Sequence, residues 1–191
     1  MPRVLALLFF GCLSVAFPAA AAAETSPTGG AQYVDPAPIV APGSKARLLP
    51  DGSAAAPADA PPQVKAAIFA ANKLLDKPYK YGGGHARVED TGYDCSGTVS
   101  YALRAAGLVK SPLDSSSFMG WGLKGPGAWI TVYTNPGHAY AIIAGLRLDT
   151  SAYGVTAKIS RRIARAAERG PRWRPGRRPV QGFVARHALN L

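Results

Sequence analysis

The sequence predicts one α+β domain, a helical part followed by a small antiparallel sheet, on three observations. Apolar residues recur at helical spacing from Val64 to Leu75 and again from Val99 to Ala106. Beyond them, apolar runs of strand length follow one another from Trp129 onward, divided by Asn-Pro-Gly and Gly signals. The chain is 191 residues long and 48% hydrophobic, enough for one core, and its 2 Cys are too few for a disulfide framework.

The first element is a leader. Arg3 precedes an uncharged run from Val4 to Phe17, and Ala19 to Ala23 precede Glu24. The run is short for a membrane span, and Ala21-Ala22-Ala23 offers the small residues a signal peptidase requires, so residues 1–23 read as a cleaved secretory signal. A lipoprotein reading at Cys12 fits poorly, because apolar sequence continues past it. Cleavage lowers the formal net charge from +11 to +10 and leaves Cys95 as the one cysteine of an exported protein. Residues 24–62, with eight prolines among Ala, Gly, Ser and Thr, read as a linker, either a spacer or a passive leader. The first helix then runs from about Gln63, burying Val64, Ala67, Ile68, Ala71, Leu74 and Leu75, and stops at Pro78.

A turn-rich stretch follows, Pro78-Tyr79-Lys80-Tyr81-Gly82-Gly83-Gly84-His85, which lacks the Lys-Ser/Thr of a phosphate loop. The second helix opens at Asp94-Cys95-Ser96-Gly97, with Asp94 as N-cap, Val99, Ala102, Leu103 and Ala106 on one face, and Gly107 as stop. Cys95 thus lies in the first helical turn, where unpaired backbone N–H groups and the helix dipole favour a thiolate and offer donors to a developing oxyanion. As a bare residue it reads equally as a small buried hydrophobe. A nucleophile needs a base, and the mature chain offers His85, His138 and His187. His138 opens an apolar strand after Asn135-Pro136-Gly137, so it can project into a cleft while the core holds the strand behind it; a solvated turn histidine is the alternative. His85 reads as a loop residue and His187 as a surface strand residue. Strands are expected at Trp129–Thr134, His138–Ala144, Arg147–Thr150 and Gly182–Arg186.

After Val155, ten Lys or Arg stand against Glu168 alone, so the positive charge is concentrated in residues 155–191. Ser160 to Arg169 fits a short basic helix, and Trp173 lies among Arg172, Arg174, Arg177 and Arg178. Such a segment suits an anionic polymer, or is a solvated basic face; nucleic acid is the least favoured partner.

Together, Tyr79 to Gly83, Gly92-Tyr93-Asp94-Cys95-Ser96-Gly97 at a helix start, and Gly137-His138 before an apolar strand resemble the NlpC superfamily of papain-like cell-wall cysteine peptidases. Tyr81 to His85, Ser111 to Ser115, Ile130 to His138, Arg147 to Ser151 and Gly170 to Trp173 are similar to an exported actinobacterial-type branch of it. The resemblance covers residues 63–191 and implies a papain-like catalytic domain with Cys95 as nucleophile, His138 as general base and Asp149 as the group that orients the imidazole. It implies that Tyr79 lies near the oxyanion and that Asp94 and Ser96 bind substrate, in some members the free amine of a peptide stem. Ser117 and Trp121 are further candidates for substrate contact, in a loop that departs from the usual pattern. Gly125-Pro126-Gly127-Ala128-Trp129-Ile130 also departs from the family's Gly-Asp-Leu strand start.

The implied activity is hydrolysis of amide bonds in peptidoglycan stem peptides, of the D-glutamyl-diamino acid type, by a monomeric protein associated with the cell wall. A catalytically inactive wall-binding module on the same fold, and an amidase or acyltransferase of the same superfamily, remain open alternatives. No cofactor is called for, and scattered histidines with a single cysteine support no metal site.

Overall fold

The structure, a computed structural model, describes residues 38–151, 170–175 and 178–191. All of them fall in one compact unit, Ala37–Leu191. The expected signal segment, the first part of the expected linker and the expected basic helix at 160–169 lie outside the described residues.

The described chain does not begin as a linker. Val40–Ala41 (β1), Arg47–Leu48 (β2) and Ala54–Pro57 (β3) form a three-stranded sheet in the order β1-β3-β2, parallel on one side of β3 and antiparallel on the other. Every residue of β3 is buried. Alanine side chains let this strand lie close on the first helix, Pro62–Asn72 (α1). The Asn72 side chain fixes the contact, accepting from Ala54 N–H and donating to Ala54 C=O, both at 2.9 Å. The helix ends five residues short of the expected Lys77, and tight i→i+3 turns carry the chain through Lys73, Leu74 and Lys77.

The second helix, Cys95–Ala105 (α2), starts and stops as its sequence dictates. Asp94 caps it by accepting from Gly97 N–H at 2.6 Å. At the other end Gly107 takes φ +72°, Leu108 N–H reaches Leu103 C=O and Gly107 N–H reaches Arg104 C=O, a glycine-terminated Schellman pair. Val64, Ala67, Ile68 and Ala71 of α1 join Val99, Ala102 and Leu103 of α2 and its C-cap Ala106 in one core. A third short helix, Ser115–Phe118 (α3), is capped by Asp114.

The large sheet comprises Leu123–Lys124 (β4), Ile130–Asn135 (β5), His138–Ile143 (β6), Leu146–Asp149 (β7), Arg172–Arg174 (β8) and Val184–His187 (β9). Its order is β4-β9-β5-β6-β7-β8, antiparallel throughout. The strands expected from the sequence agree with β5, β6, β7 and β9 to within two residues at each end. The β5–β6 register is set by a two-residue hairpin in which Asn135 Oδ1 accepts from Gly137 and His138 N–H, each at 2.9 Å. Between β6 and β7, Ala144 and Gly145 both adopt positive φ, the geometry that suits the right-handed strand twist.

Alternation then divides the sheet. Ile130, Val132, Ala139, Ala141, Ile143, Leu146, Leu148 and Trp173 form the face buried against the helices. Tyr133, Tyr140, Ile142, Arg147 and Asp149 belong to the other face.

Arg172 and Arg174, which flank Trp173, do not form a surface patch. Trp173 is 5% exposed and its Nε1–H donates to Asn72 Oδ1 at 2.8 Å. Arg172 donates to the Leu75 and Pro171 carbonyls, and Arg174 is buried. Arg186, also buried, donates to the Trp121 and Gly122 carbonyls. Arg172 and Arg186 take up loop carbonyl oxygens, and β8, the last strand of the sheet, is tied to α1 and the turn after it through Trp173 and Arg172.

Candidate active site

The site assembles where the start of α2 meets the start of β6. Asp94 does more than cap the helix: its second oxygen accepts from Gly82 N–H at 3.0 Å, while Asp94 N–H donates to Gly83 C=O. The glycine loop therefore crosses directly over the first turn of α2. A Cβ on Gly97 would stand 2.0 Å from Gly83 O, so no larger residue fits beneath that loop. Just before it, Tyr79 bridges to Tyr93, with Tyr93 N–H on Pro78 C=O and Lys80 N–H on Tyr93 C=O. This lacing sets Tyr79 beside Cys95. Burial raises the Tyr79 hydroxyl above its ordinary pKa, and the charges of Cys95 and Asp94 push it the same way.

Cys95 is buried, and its sulfur lies 3.6 Å from Ser115 Oγ. Burial alone would push the thiol up. Hydrogen bonds from His138, from the Ala139 N–H and from Ser115 outweigh it, and the thiol sits below the ordinary cysteine range. His138 Nε2 meets Asp149 Oδ1 at 2.9 Å, so Nδ1 is the ring nitrogen left to face the sulfur. Burial works to lower the imidazole pKa, yet the bonds to Asp149 and Cys95 raise it to about 9. Asp149, 1% exposed, would be raised by burial but is held below its ordinary value by His138 and by the Ser151 N–H, with the Arg147 charge adding to the effect. Its other oxygen faces Arg178 at 3.3 Å and Arg147 at 3.5 Å. A thiol, an imidazole and a carboxylate thus stand in line, with charge stabilised at each end, an arrangement able to form a thiolate–imidazolium pair.

Of the residues singled out in the sequence, Cys95, His138 and Asp149 are brought together, with Tyr79 alongside. Asp94 and Ser96 adjoin the thiol in sequence but are buried, and His85 Nε2 is hydrogen-bonded to both, at 3.1 and 3.2 Å. Ser117 and Trp121 are held by other contacts. Ser117 N–H caps onto Asp114, while Trp121 packs edge-on to Phe118 and donates to the Leu108 carbonyl. His187 belongs to β9 and pairs with the Gly125 carbonyl. Sequence reasoning missed Ser115, although Asp114-Ser115 repeats the cap-then-first-residue pattern of Asp94-Cys95. It also missed Arg147, which strand alternation puts on the same face as Asp149 two residues on, and Arg178, whose approach to Asp149 carries no local signal.

No family model matches the chain, and no curated protein does. Among solved structures, one neighbour is that of Rv1477, a hypothetical invasion protein of Mycobacterium tuberculosis, at 22% identity and a TM-score of 0.44, covering 65% of this chain and 61% of that one. Another is the peptidoglycan hydrolase RipB (Rv1478) of the same organism, at 21% identity and a TM-score of 0.44, covering 65% and 64%. The chain therefore spans less than two thirds of either neighbour.

Proposed function

We propose that the protein is an exported cysteine peptidase that hydrolyses amide bonds in peptidoglycan stem peptides, of the D-glutamyl-diamino acid type. The observation that carries this reading is the Cys95–His138–Asp149 line, with the sulfur at a capped helix start and His138 bonded to Asp149 at 2.9 Å. The peptidoglycan substrate rests on the NlpC resemblance and on the leader sequence, and wall association through an anionic polymer rests on the basic residues of 155–191 other than Arg172, Arg174 and Arg186.

In this mechanism the Cys95 thiolate attacks the amide carbonyl carbon. The carbonyl oxygen, now an oxyanion, is stabilised by the Cys95 N–H, which has no partner within the first helical turn, and by the nearby Tyr79 hydroxyl. The imidazolium of His138 gives its proton to the leaving amine, which departs and leaves a thioacyl-enzyme. Neutral His138 then takes a proton from water as it attacks the thioester, and returns that proton to the sulfur. Asp149 keeps the ring oriented and stabilises its charged form throughout. Because His85 already engages Asp94 and Ser96, an amine of the stem would bind there by displacing the imidazole.

Mass spectrometry of stem-peptide fragments tests the reading. Wild-type mature protein is expected to release fragments cut between D-glutamate and the diamino acid, and Cys95→Ala to lower release by about four orders of magnitude. Equal release by the two proteins would overturn it.

A further inference from the structure

We propose that Arg178 is a positioning residue of this site, clamping the outer oxygen of Asp149 and backing the aromatic wall beside His138; the proposal rests on the peptidase reading. The two carboxylate oxygens of Asp149 divide their partners. Oδ1 meets His138 Nε2 at 2.9 Å and Ser151 N–H at 2.8 Å, whereas Oδ2 meets Arg178 at 3.3 Å and Arg147 at 3.5 Å. A carboxylate held at Oδ2 cannot swing Oδ1 away from the imidazole without losing those contacts. The Arg178 guanidinium also lies over the rings of Tyr140 and Phe183, 5.5 and 5.1 Å from their centres. Each of those rings is centred 6.3 Å from the His138 ring. One side chain therefore touches both the carboxylate that orients the base and the two rings that flank it.

The two arginines differ in what their loss would leave behind. Arg147 is on β7, two residues before Asp149 and 2% exposed, so its removal would leave a void in the sheet. Arg178 reaches in from the connection between β8 and β9, its side chain 17% exposed, and lines an open cavity of about 940 Å³ with Trp129, Tyr133 and Tyr140. Water can replace a trimmed Arg178. The cation has an electrostatic role as well. Among the described residues, the charged or titratable groups around the imidazole are Cys95 on α2, Tyr140 on β6, Asp149 and Arg147 on β7, and Arg178 ahead of β9. By offsetting part of the Asp149 charge, Arg178 keeps the imidazolium from being held so firmly that it fails to protonate a leaving amine.

The test titrates the His138 imidazole by NMR in the full mature protein, alongside turnover of a stem peptide. Arg178→Gln is expected to raise the midpoint by about half a pH unit or more and to lower kcat about tenfold with KM little changed. Arg178→Lys, which keeps the charge and supplies a folded comparison, is expected to return the midpoint toward wild type while recovering only part of kcat, because an ammonium lacks the planar stack. An unmoved midpoint in Arg178→Gln, or full kcat in Arg178→Met, would overturn the clamp. The titration needs no turnover, so a midpoint that depends on Arg178 in a protein without peptidase activity would support the clamp and sink the peptidase reading.

Discussion

His138 with Asp149 and His85 with Asp94 are two histidine–aspartate pairs of the same construction, each an Nε2···Oδ1 contact, at 2.9 and 3.1 Å. Both histidines follow a glycine in the sequence. They part company in what else the carboxylate holds. Asp94 accepts from Gly97, Gly82 and Ser96 as well as from His85, so its oxygens stitch a helix start to the glycine loop. Asp149 receives arginines on one oxygen and turns the other to an imidazole that also bonds a thiol. Identical chemistry thus makes a structural knot in one place and the proposed acid–base pair in the other, and the deciding factor is whether the imidazole has a thiol on its far side.

The largest effect should separate the histidines. His138→Ala is expected to lower stem-peptide turnover by about three to four orders of magnitude, whereas His85→Ala should change kcat by no more than about threefold and cost about 1 kcal/mol of stability. Comparable losses of kcat in both variants would break the distinction. The carboxylates should then trade readouts. Asp149→Asn is expected to cost about 10²-fold or more in kcat through loss of imidazole orientation. Asp94→Ala, removing a cap that several donors share, should lower stability by about 1–2 kcal/mol, read from the urea midpoint. Gly97→Ala tests the same knot sterically, since its Cβ would collide with Gly83 O, and about 1–3 kcal/mol of destabilisation is expected.

The smallest effect concerns pH. The folded pKa of His138, about 9, lies above the ordinary 6.5, so its stabilisation is complete below about 6.5 and is lost as pH rises through about 9. Cys95, lowered in the fold, contributes with the opposite sign, which makes Cys95→Ala the suitable background. Removing the thiol also removes its share of the imidazole shift, while the Asp149 bond still raises His138. In that background stability should fall as pH rises above 6.5, over a window that closes below 9, and the fall should vanish when His138→Gln is added. Asp149, lowered, contributes above 3.8 and loses its contribution as pH falls below it.

The parts of the fold legible in sequence were those with local signals. Asp94 before Cys95, Gly107 after Ala106 and Asn-Pro-Gly before His138 each specify a backbone conformation within a few residues. The small sheet was hidden because Ala54-Ala55-Ala56-Pro57 lacks both alternation and β-branched residues; close packing on α1 holds it instead. The Arg-Trp-Arg stretch read as surface because charge usually is, and only the tertiary partners, Asn72 and loop carbonyls, explain its burial. At the site, Cys95 and His138, the proposed nucleophile and base, could be read from their places at element starts, and Asp149 came from the resemblance. Ser115, at the start of α3, and Arg178, in the connection ahead of β9, converge over distances in sequence that no motif spans.

Asn72 carries a consequence that is optical. Its carboxamide ties β3 to α1 and accepts the indole N–H of Trp173 on β8, so one buried indole sits where the small sheet, the helices and the large sheet meet. Trp121 and Trp129, the chain's other tryptophans, are partly buried beside the same core. The emission wavelength of Trp173 would consequently shift to the red as helices and sheet separate, giving an intrinsic fluorescent signal for their docking that needs no label and leaves the thiol untouched.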